Sequence, residues 1–294
     1  MEIRVLQYFL AVAREQSISR AAESLHLSQP TLSVQIRHLE EELGKQLIRR
    51  GTPGSKKILL TDEGVILRKR AEEILSLVRK TEREIVHSDT VIAGDVYIGT
   101  GETDIVRLMA RAAKKIQEQY PDIHYHISSG NAEYVLEYLD KGLIDFGLIY
   151  GAADPQKYAS IPVPQKDRWG VLMRRDCPLA QKASICPEDL WDKPLILSHQ
   201  RGDHPHIARW LKREMGQLQV VATYNLVLNA SLLVDEGLGY ALCFDGLINT
   251  EGSSLCFRPL EPSLEAAASL VWKKYQVFSK PAELLLQVLR EQFL

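Results

Sequence analysis

The apolar positions of the first sixty residues recur at intervals of three and four, which is typical of amphipathic helices. Two short helices are predicted, with these core-facing side chains: Leu6, Phe9, Leu10 and Ala13 in the first, and Ala21, Ala22 and Leu25 in the second. Ser19 is the predicted N-cap of the second helix. A third helix follows Ser28, with Pro30 in its first turn, where the missing N–H costs nothing.

The third predicted helix separates an apolar face from a small polar and basic one. Its apolar positions are Leu32, Ile36, Leu39 and Leu43. The opposite face carries Pro30, Val34, Arg37 and His38, with Thr31 and Ser33 on its flanks. Gln29, at the start of the helix, could address an adenine or bridge to a phosphate. Two short helices joined by a tight turn, the second exposing such groups, are typical of the helix-turn-helix that reads bases in the major groove. A plain helical bundle with a solvated face is the alternative.

A turn-rich basic segment follows the third helix. Residues 47–50 and 58–61 are predicted to form two strands around the turn signal Gly-Thr-Pro-Gly-Ser at 51–55. Basic side chains cluster around this turn: Arg49, Arg50, Lys56 and Lys57. A basic hairpin directly after a helix-turn-helix is a candidate wing that contacts phosphates or the minor groove. A charged hairpin that only aids solubility is the alternative.

Residues 62–88 predict one long polar helix with a narrow apolar seam. The seam residues alternate steps of four and three: Leu67, Ala71, Ile74, Val78, Thr81 and Ile85. Charged residues flank the seam on both sides, so pairing with a second helix of the same kind is favoured. A surface helix lying on its own domain is the alternative. Two paired heads would gain effective concentration on adjacent DNA half-sites.

From Asp95 the pattern changes to short apolar strands that alternate with helices, which predicts an α/β domain. The predicted strands lie at 96–99, 124–128, 145–149, 171–174, 195–197, 220–225, 241–244 and 270–272. Two lobes joined by two crossovers resemble the periplasmic-binding-protein fold. The fold class expected is therefore α/β overall, with three parts. These are an N-terminal winged helix-turn-helix (1–61), a linker helix (62–88) and a C-terminal two-lobed, periplasmic-binding-protein-like α/β domain (91–294).

The two lobes are expected to face each other across a ligand cleft. Lobe I spans about 91–160 and 268–294, and lobe II about 161–267. Strand ends and helix starts at the cleft supply the candidate ligand contacts, which are Thr100, Gly101, Glu102, Thr103, Ser128, Ser129, Tyr150, Ser198, His199, Asn229 and Phe244. Any one of them could instead be a helix cap or a core residue. Glu102 opposes an anion at this place, so either it points away or the ligand carries a donor or a positive group.

Composition narrows the classes of protein. Of the 294 residues 25% are charged and 45% hydrophobic, which is typical of a folded soluble chain. Residues 1–60 carry nine basic against six acidic side chains, whereas the whole chain carries −2. A basic head on an acidic body indicates a polyanion partner for the head alone. The sequence has no apolar signal region and no membrane-length apolar run, so a cytoplasmic protein without a membrane partner is expected.

One run of residues resembles a known family. The stretch FLAVAREQSISRAAESLHLSQPTLSVQIRHLEEELGKQL, followed by LLTDEG, is similar to the LysR-type transcriptional regulators over residues 9–64. The resemblance implies repression or activation of genes in response to a small effector, and pairing of the linker helices, usually within a tetramer. RNA polymerase is a further candidate partner. Gln29, Pro30, Thr31, Ser33 and Val34 fall where that family contacts double-stranded DNA. Val34 stands where the family often has arginine, and the wing is a few residues longer than usual.

The full set of expected DNA contacts combines the pattern and the resemblance: Ser19, Ser28, Gln29, Pro30, Thr31, Ser33, Val34, Arg37, Arg50, Lys56 and Lys57. No cofactor and no catalytic apparatus are expected, because no GxSxG, P-loop or dinucleotide motif is present. His199, Asp203, His204 and His206 form a loose cluster whose spacing matches no standard metal site. The four cysteines form no CxxC pair and are expected to be free thiols. A solute-binding protein and an enzyme of the same fold are the rival classes.

Overall fold

The computed structural model describes residues 1–50, 57–86, 92–199 and 204–293. For Arg50, Arg83, Glu84, Val86, His204 and Pro205 the description covers the backbone alone. The chain divides into two units, Met1–Asp89 and Thr90–Leu294, each with its own core. The two units are described separately below.

Three helices and a two-stranded sheet open the first unit. The helices are α1 (Ile3–Glu15), α2 (Ile18–Ser24) and α3 (Gln29–Leu43), and the strands are β1 (Ile48–Arg50) and β2 (Ile58–Leu60). Phe9, Leu32, Ile36 and Leu39 are fully buried at the centre of their core. The strands pair antiparallel, with Arg49 opposite Leu59. The predicted three helices and hairpin are therefore present.

The second helix begins earlier than predicted. Its N-cap is Ser17, whose side-chain oxygen accepts a hydrogen bond from the Arg20 backbone N–H, and Ser19 is an exposed residue inside the first turn. Both serines precede a helical run, and the sequence does not distinguish them. The third helix begins as predicted: Ser28 accepts from the Thr31 N–H at 3.2 Å and Pro30 lies in the first turn.

A long helix, α4 (Asp62–Val86), ends the described part of the first unit. Its first half packs on α1, because Leu67, Ala71 and Leu75 form an apolar cluster with Leu6 and Leu10. Part of the predicted pairing seam therefore serves the fold of its own domain, which was the alternative for this helix. Other apolar side chains of α4 remain exposed: Val65, Ile66, Ile74, Leu77 and Ile85.

Within the described residues of the second unit, nine strands form one mixed sheet. They are β3 (Gly94–Thr100), β4 (Ile123–Ser129), β5 (Phe146–Tyr150), β6 (Tyr158–Arg174), β7 (Leu195–Ser198), β8 (Val220–Tyr224), β9 (Tyr240–Phe244), β10 (Leu255–Pro259) and β11 (Glu265–Lys273). Their order is β4-β3-β5-β11-β6-β9-β7-β8, and β10 pairs with β6. Strands β3, β4 and β5 are parallel, as are β7, β8 and β9.

In the described part of this unit, five α-helices cover the sheet: α5 (Val106–Gln117), α6 (Ala132–Asp140), α7 (His204–Leu211), α8 (Val227–Asp235) and α9 (Lys280–Phe293). Two groups of cores result. We call lobe I the part built on β3, β4 and β5 with α5, α6 and α9, and lobe II the part built on β7 to β10 with α7 and α8. The long antiparallel strands β6 and β11 run through both lobes.

Several details of the second unit differ from the sequence prediction. Ile161 and Val163 pack in the core of lobe I, although the predicted boundary assigned them to lobe II. The apolar spacing after the first strand of this unit predicts a helix that buries Val106, Ala110, Ala113 and Ile116. The buried residues of α5 are Met109, Ala112 and Ile116, so only Ile116 agrees. The apolar spacing does not decide which face of α5 is buried, because alanine is compatible with both a buried and an exposed position.

Candidate functional site

The first candidate site is the exposed start of α3. Gln29, Pro30, Thr31, Val34 and Arg37 are exposed there, and Ser33 is half-buried. Ser28 and Thr31 are engaged with each other, because their hydroxyl oxygens lie 2.7 Å apart and the Thr31 N–H donates to Ser28. Because the exposed side chains at the start of α3 are mostly small, this end of the helix can approach a base edge closely.

Glu40 fixes the angle between α3 and the hairpin. Its carboxylate oxygen Oε1 accepts from the backbone N–H groups of Leu47, at 2.7 Å, and Ile48, at 3.1 Å. The N–H of Ile58 donates to the Gln16 carbonyl, which ties the same hairpin to the end of α1. The wing is thus held to two helices. Glu40 was not predicted to do this, because a glutamate on a helix surface carries no local sign of a contact seven residues away.

The basic residues of the wing are only partly described. Arg49 and Lys57 are exposed on β1 and beside β2, respectively. The side chain of Arg50 and the whole of Lys56 lie outside the described residues, as does the turn over 51–55. Ser19 is exposed on α2. The hairpin strands themselves are those predicted, so the exposed basic residues Arg49 and Lys57 follow α3 directly.

The second candidate site is a cleft at the point where β6 and β11 pass between the lobes. It contains a cavity of about 470 Å³ on the side of α6 and one of about 40 Å³ on the side of α8. Gly101, Tyr150 and Trp169 line both cavities. The larger is also lined by Gly130, Asn131, Ala132, Glu133, Leu148, Ile149, Gly151, His206 and Leu264 to Ala267.

The candidate ligand residues divide between these cavities. Glu102, Ser198 and Phe244 line the smaller one. Thr100, Thr103, Ser128, Ser129, His199 and Asn229 are not among the residues that line either. A helix cap was one alternative for Asn229, but α8 begins at Val227 and its N-cap is Leu226. Asn229 therefore lies within the first turn of the helix.

A buried carboxylate lies behind the cleft. Asp167 on β6 is 3% exposed and accepts hydrogen bonds from the hydroxyls of Thr103 and Tyr150. Burial raises the pKa of Asp167 above its ordinary value, the two hydroxyl bonds oppose that rise, and the nearby Asp104 adds to it. Thr103 also accepts from the Ile105 N–H at 3.0 Å. Thr103 therefore links the loop after β3 to β6 behind the cleft.

Aromatic rings form the wall between the two cavities. The ring centroid of Phe244 lies 5.1 Å from that of Tyr150 and 4.4 Å from that of Trp169. Tyr150 belongs to lobe I and Phe244 to lobe II, so this stack bridges the lobes. Flat, rigid surfaces of this kind bind apolar or planar ligands at low entropic cost. Trp169 was missed because its strand position gave no reason to expect it in the cleft.

Glu102 crosses the cleft. Its carboxylate oxygen Oε2 accepts a hydrogen bond from the backbone N–H of Val227, the first residue of α8 in lobe II. From the sequence alone, Glu102 could either point away or meet a ligand donor. The side chain instead meets a donor of the protein.

The rival chemistries find little support in the described residues. There, no group of three or more histidine, cysteine, aspartate or glutamate side chains is placed to hold a metal ion, but Asp203 and the His204 side chain lie outside them. Burial raises the pKa of the Cys243 thiol to about 12, and burial also raises the pKa of Cys256. Among the described residues, no helix is both long and apolar enough to cross a membrane.

Comparison with known proteins covers both units. Residues 3–65 match the family model "Bacterial regulatory helix-turn-helix protein, lysR family", and residues 90–294 match the LysR substrate binding domain. The chain is 26% identical over 297 residues to the HTH-type transcriptional regulator YvbU of Bacillus subtilis (strain 168), covering 100% of this chain and 99% of the relative.

Solved structures are similar along the whole chain. The LysR family regulator CbnR has a TM-score of 0.82 at 17% identity and covers 100% of both chains. Full-length CbnR in complex with its target DNA has a TM-score of 0.80 at 19% identity, covering 99% of both chains. At this identity these two structures support the fold. The family models cover most of the chain, and this chain therefore belongs to the LysR family of DNA-binding transcriptional regulators, which carry a C-terminal effector-binding domain and are not enzymes.

Proposed function

We propose that the start of α3 reads bases in the major groove of double-stranded DNA, with the wing on the backbone beside it. The observation that carries the proposal is the exposure of Gln29, Thr31 and Val34 at the start of a helix that buries Leu32, Ile36 and Leu39. Gln29 can address an adenine edge, and Val34 can contact only an apolar group such as a thymine methyl. Ser33 and Arg37 flank these residues.

The remaining candidate contacts serve the DNA backbone. Ser19, Ser28 and Pro30 surround the helix-turn-helix corner, where short side chains and backbone N–H groups meet phosphate. Lys57 supplies positive charge from the hairpin, and Arg50 and Lys56, neighbouring basic residues in the sequence, are proposed to add to it. Support comes from the paired strands of the hairpin and from Glu40, which holds them against α3. Val34 in place of a charged residue makes the base contacts fewer and the backbone contacts relatively more important.

Two substitutions distinguish base readout from backbone binding. We expect Gln29→Ala to weaken binding to the operator, by roughly 1–3 kcal/mol for a bidentate pairing with a base, and to leave binding to random DNA unchanged. Lys57→Ala should weaken both equally and flatten the dependence of log K on log salt by about 0.9 for each phosphate that is no longer neutralised. Mobility shift on the intergenic DNA upstream of the gene, over a salt series, measures both.

The matched control is Lys45→Ala, an exposed lysine just past α3 that pairs with Glu63 at 3.8 Å. We expect that variant to keep both the operator affinity and the salt slope. Equal losses on operator and random DNA in Gln29→Ala would contradict base readout, and an unchanged slope in Lys57→Ala would remove the wing from the interface.

The working unit is proposed to be a homodimer, assembled into a homotetramer. The exposed apolar side chains Ile66, Ile74, Leu77 and Ile85 lie within about a 100° arc of α4 at 100° per residue, beside the stripe that packs on α1. One small head binds DNA weakly, whereas two linked heads gain effective concentration. RNA polymerase is a candidate partner for the DNA-bound assembly, and a regulator of chromosomal genes acts in the cytoplasm.

The cleft is proposed as the effector site. The larger cavity of about 470 Å³ is of metabolite size, and the side chains of Tyr150 and Trp169 form part of its wall. Gly101 and Gly130 present backbone groups to it. An effector that binds one arrangement of the lobes better than another shifts their equilibrium, which alters the spacing of the two heads. A thermal-shift screen of metabolites identifies ligands that bind the folded state.

A further inference from the structure

The cleft is asymmetric in volume and in its polar contacts. The α6 side holds about 470 Å³ and the α8 side about 40 Å³, although both are bordered by Tyr150 and Trp169. A metabolite fits the first and not the second. The lobes therefore lie closer together on the α8 side than on the α6 side.

The two helices that start at the cleft differ in how their N-termini are satisfied. Helix α6 has its own cap, because Asn131 accepts from the Tyr134 N–H at 2.8 Å, and Glu133 stands in its first turn. Helix α8 has no side-chain cap of its own and no acidic residue in its first turn. The first N–H groups of a helix need an acceptor and favour a negative charge. In α8 that acceptor is Glu102, 125 positions earlier in the chain.

A second contact comes from the same loop. A Cβ placed on Gly246, which follows β9 in lobe II, would lie 3.3 Å from the carboxyl carbon of Asp104 in lobe I. Glu102 and Asp104 lie in the loop between β3 and α5, and both approach lobe II. Gly246 has φ +78°, a conformation that side chains rarely adopt, so glycine also serves the turn here. On the α8 side, one loop of lobe I thus bonds to lobe II through Glu102 and passes close to it at Asp104.

We propose that Glu102 is a built-in ligand of α8: a specificity-determining residue whose carboxylate occupies the N-terminus of that helix and holds this side of the cleft shut. The negative charge that α8 would otherwise attract is supplied by the protein. Small anions are excluded from this helix N-terminus, and the effector is confined to the cavity beside α6. The proposal rests on the proposed function only in regarding the cleft as the effector site.

The consequence for recognition differs between the two sides. On the α8 side, an effector carboxylate or phosphate competes with a carboxylate that is tethered at high local concentration. On the α6 side the helix N-terminus is capped by a neutral amide, and the described lining residues with ionisable side chains other than Tyr150 are Glu133, His206 and Glu265. Glu265 pairs with Lys166 at 3.1 Å. We therefore expect the polar groups of the effector to contact the residues beside α6 and not the N-terminus of α8.

Hydrogen exchange of the full chain, without DNA or effector, tests the proposal. In Glu102→Ala we expect the Val227 amide to exchange about fivefold faster, as for the removal of a helix cap. Sodium formate should restore part of the protection relative to sodium chloride at equal ionic strength, because a free carboxylate can re-enter the vacated place. Inorganic phosphate should raise the melting temperature of Glu102→Ala and not that of the wild type.

Two further variants serve as controls for Glu102→Ala. Glu133→Ala removes a carboxylate from the first turn of the other helix and should leave exchange at Val227 unchanged. Glu102→Gln keeps an acceptor without charge and should give an intermediate exchange rate, which also keeps the test open if Glu102→Ala does not fold. Unchanged exchange in Glu102→Ala, an equal increase in Glu133→Ala, or no effect of formate would each overturn the proposal. Loss of operator binding in these variants would bear on the proposed function instead.

Discussion

Asp167 illustrates how much a single buried charge can determine. It lies on β6, between the more exposed residues Lys166 and Arg168, yet its own side chain is buried behind the cleft. Thr103 and Tyr150 both donate to it. A buried carboxylate with two hydroxyl donors is satisfied, but its charge still carries a desolvation cost. The rise in the pKa of Asp167 expresses that cost.

The sign of its effect on stability follows from that direction. Because the folded chain holds the Asp167 proton more tightly than the unfolded chain, ionisation of this group opposes folding at neutral pH. This penalty decreases as the pH falls through the folded pKa and is absent below the unfolded value. Asp167→Asn removes the ionisation and keeps an acceptor, so we expect its stability relative to wild type to be greatest near neutrality and to decrease toward about pH 4. Urea unfolding followed by tryptophan fluorescence measures the difference.

Asp192→Asn is the control for this series. Asp192 is exposed, and the adjacent Lys193 lowers the pKa of its carboxyl, so its charge favours the folded state. Its removal should give a small effect of the opposite sign. A difference between Asp167→Asn and wild type that is constant with pH, or that grows on acidification, would contradict the role assigned to Asp167.

Residues of this kind mark the limit of prediction from sequence. The sequence correctly predicted Ser28, Pro30 and Thr31 at the start of α3, because a few adjacent residues determine where a helix begins. Asp167 and Trp169 were not expected at the cleft, and the contact made by Glu102 was not foreseen. Their partners lie far along the chain, and a strand pattern states only which face a side chain occupies.

At the scale of elements, the junction of β1 with α4 brings two backbones of the first unit very close together. Thr61 caps α4 by accepting from the Gly64 N–H at 3.0 Å, and it donates to the Gln46 carbonyl at 2.7 Å. A Cβ on Gly64 would lie 2.1 Å from the Leu47 carbonyl oxygen. The glycine is therefore required by this close approach, although it stands inside a helix.

Replacing Gly64 with alanine should therefore lower stability, whereas the same substitution inside a helix usually raises it. Glycine to alanine inside a helix ordinarily adds up to about 1 kcal/mol of stability. Here we expect Gly64→Ala to cost about 1–3 kcal/mol or more, since backbone atoms must move. All four tryptophans lie beyond residue 165. In Gly64→Ala, part of the helical circular dichroism should therefore be lost at a lower temperature than in the wild type. The unfolding transition of the second unit, followed by tryptophan fluorescence, should be unchanged.

Val65→Ala is the matched comparison, because Val65 is the next residue on α4 and is 56% exposed. It should leave both transitions in place. If Gly64→Ala melts as the wild type does, the junction is looser than its geometry indicates.

The elements as a whole were more predictable than their details. The hairpin, the helix-turn-helix and the alternating strands followed from apolar spacing, since that spacing determines which elements can bury a face. The buried stripe of α4 was only half anticipated. Leu67 and Ala71 belong to the predicted seam but pack on α1 with Leu75, because a heptad pattern does not state which partner covers it.

At the scale of the whole molecule, the exposed stripe of α4 is where we expect the chains to associate. We expect Leu77→Glu to lower the molar mass measured by light scattering toward that of one chain and to weaken operator binding severely. The physical reason is that a charge at a buried helix pairing site is costly, and separate heads lose their effective concentration.

The comparison for the assembly is Val65→Glu, on an exposed apolar position of α4 outside the stripe. That variant should keep the wild-type mass and the operator affinity. An unchanged mass in Leu77→Glu would show that the chains associate through another surface.

The passage of β6 and β11 through both lobes has a consequence for the order of synthesis. Lobe II lies between these strands in sequence, whereas lobe I needs α9, whose Leu285 and Leu289 are buried against the core that contains Val96 and Ile98. Synthesis runs from the N-terminus, so α9 emerges only after the whole of lobe II. The lobe that begins first is therefore completed last: a chain released before residue 280 has every strand and helix of lobe II but lacks the helix that covers the core of lobe I.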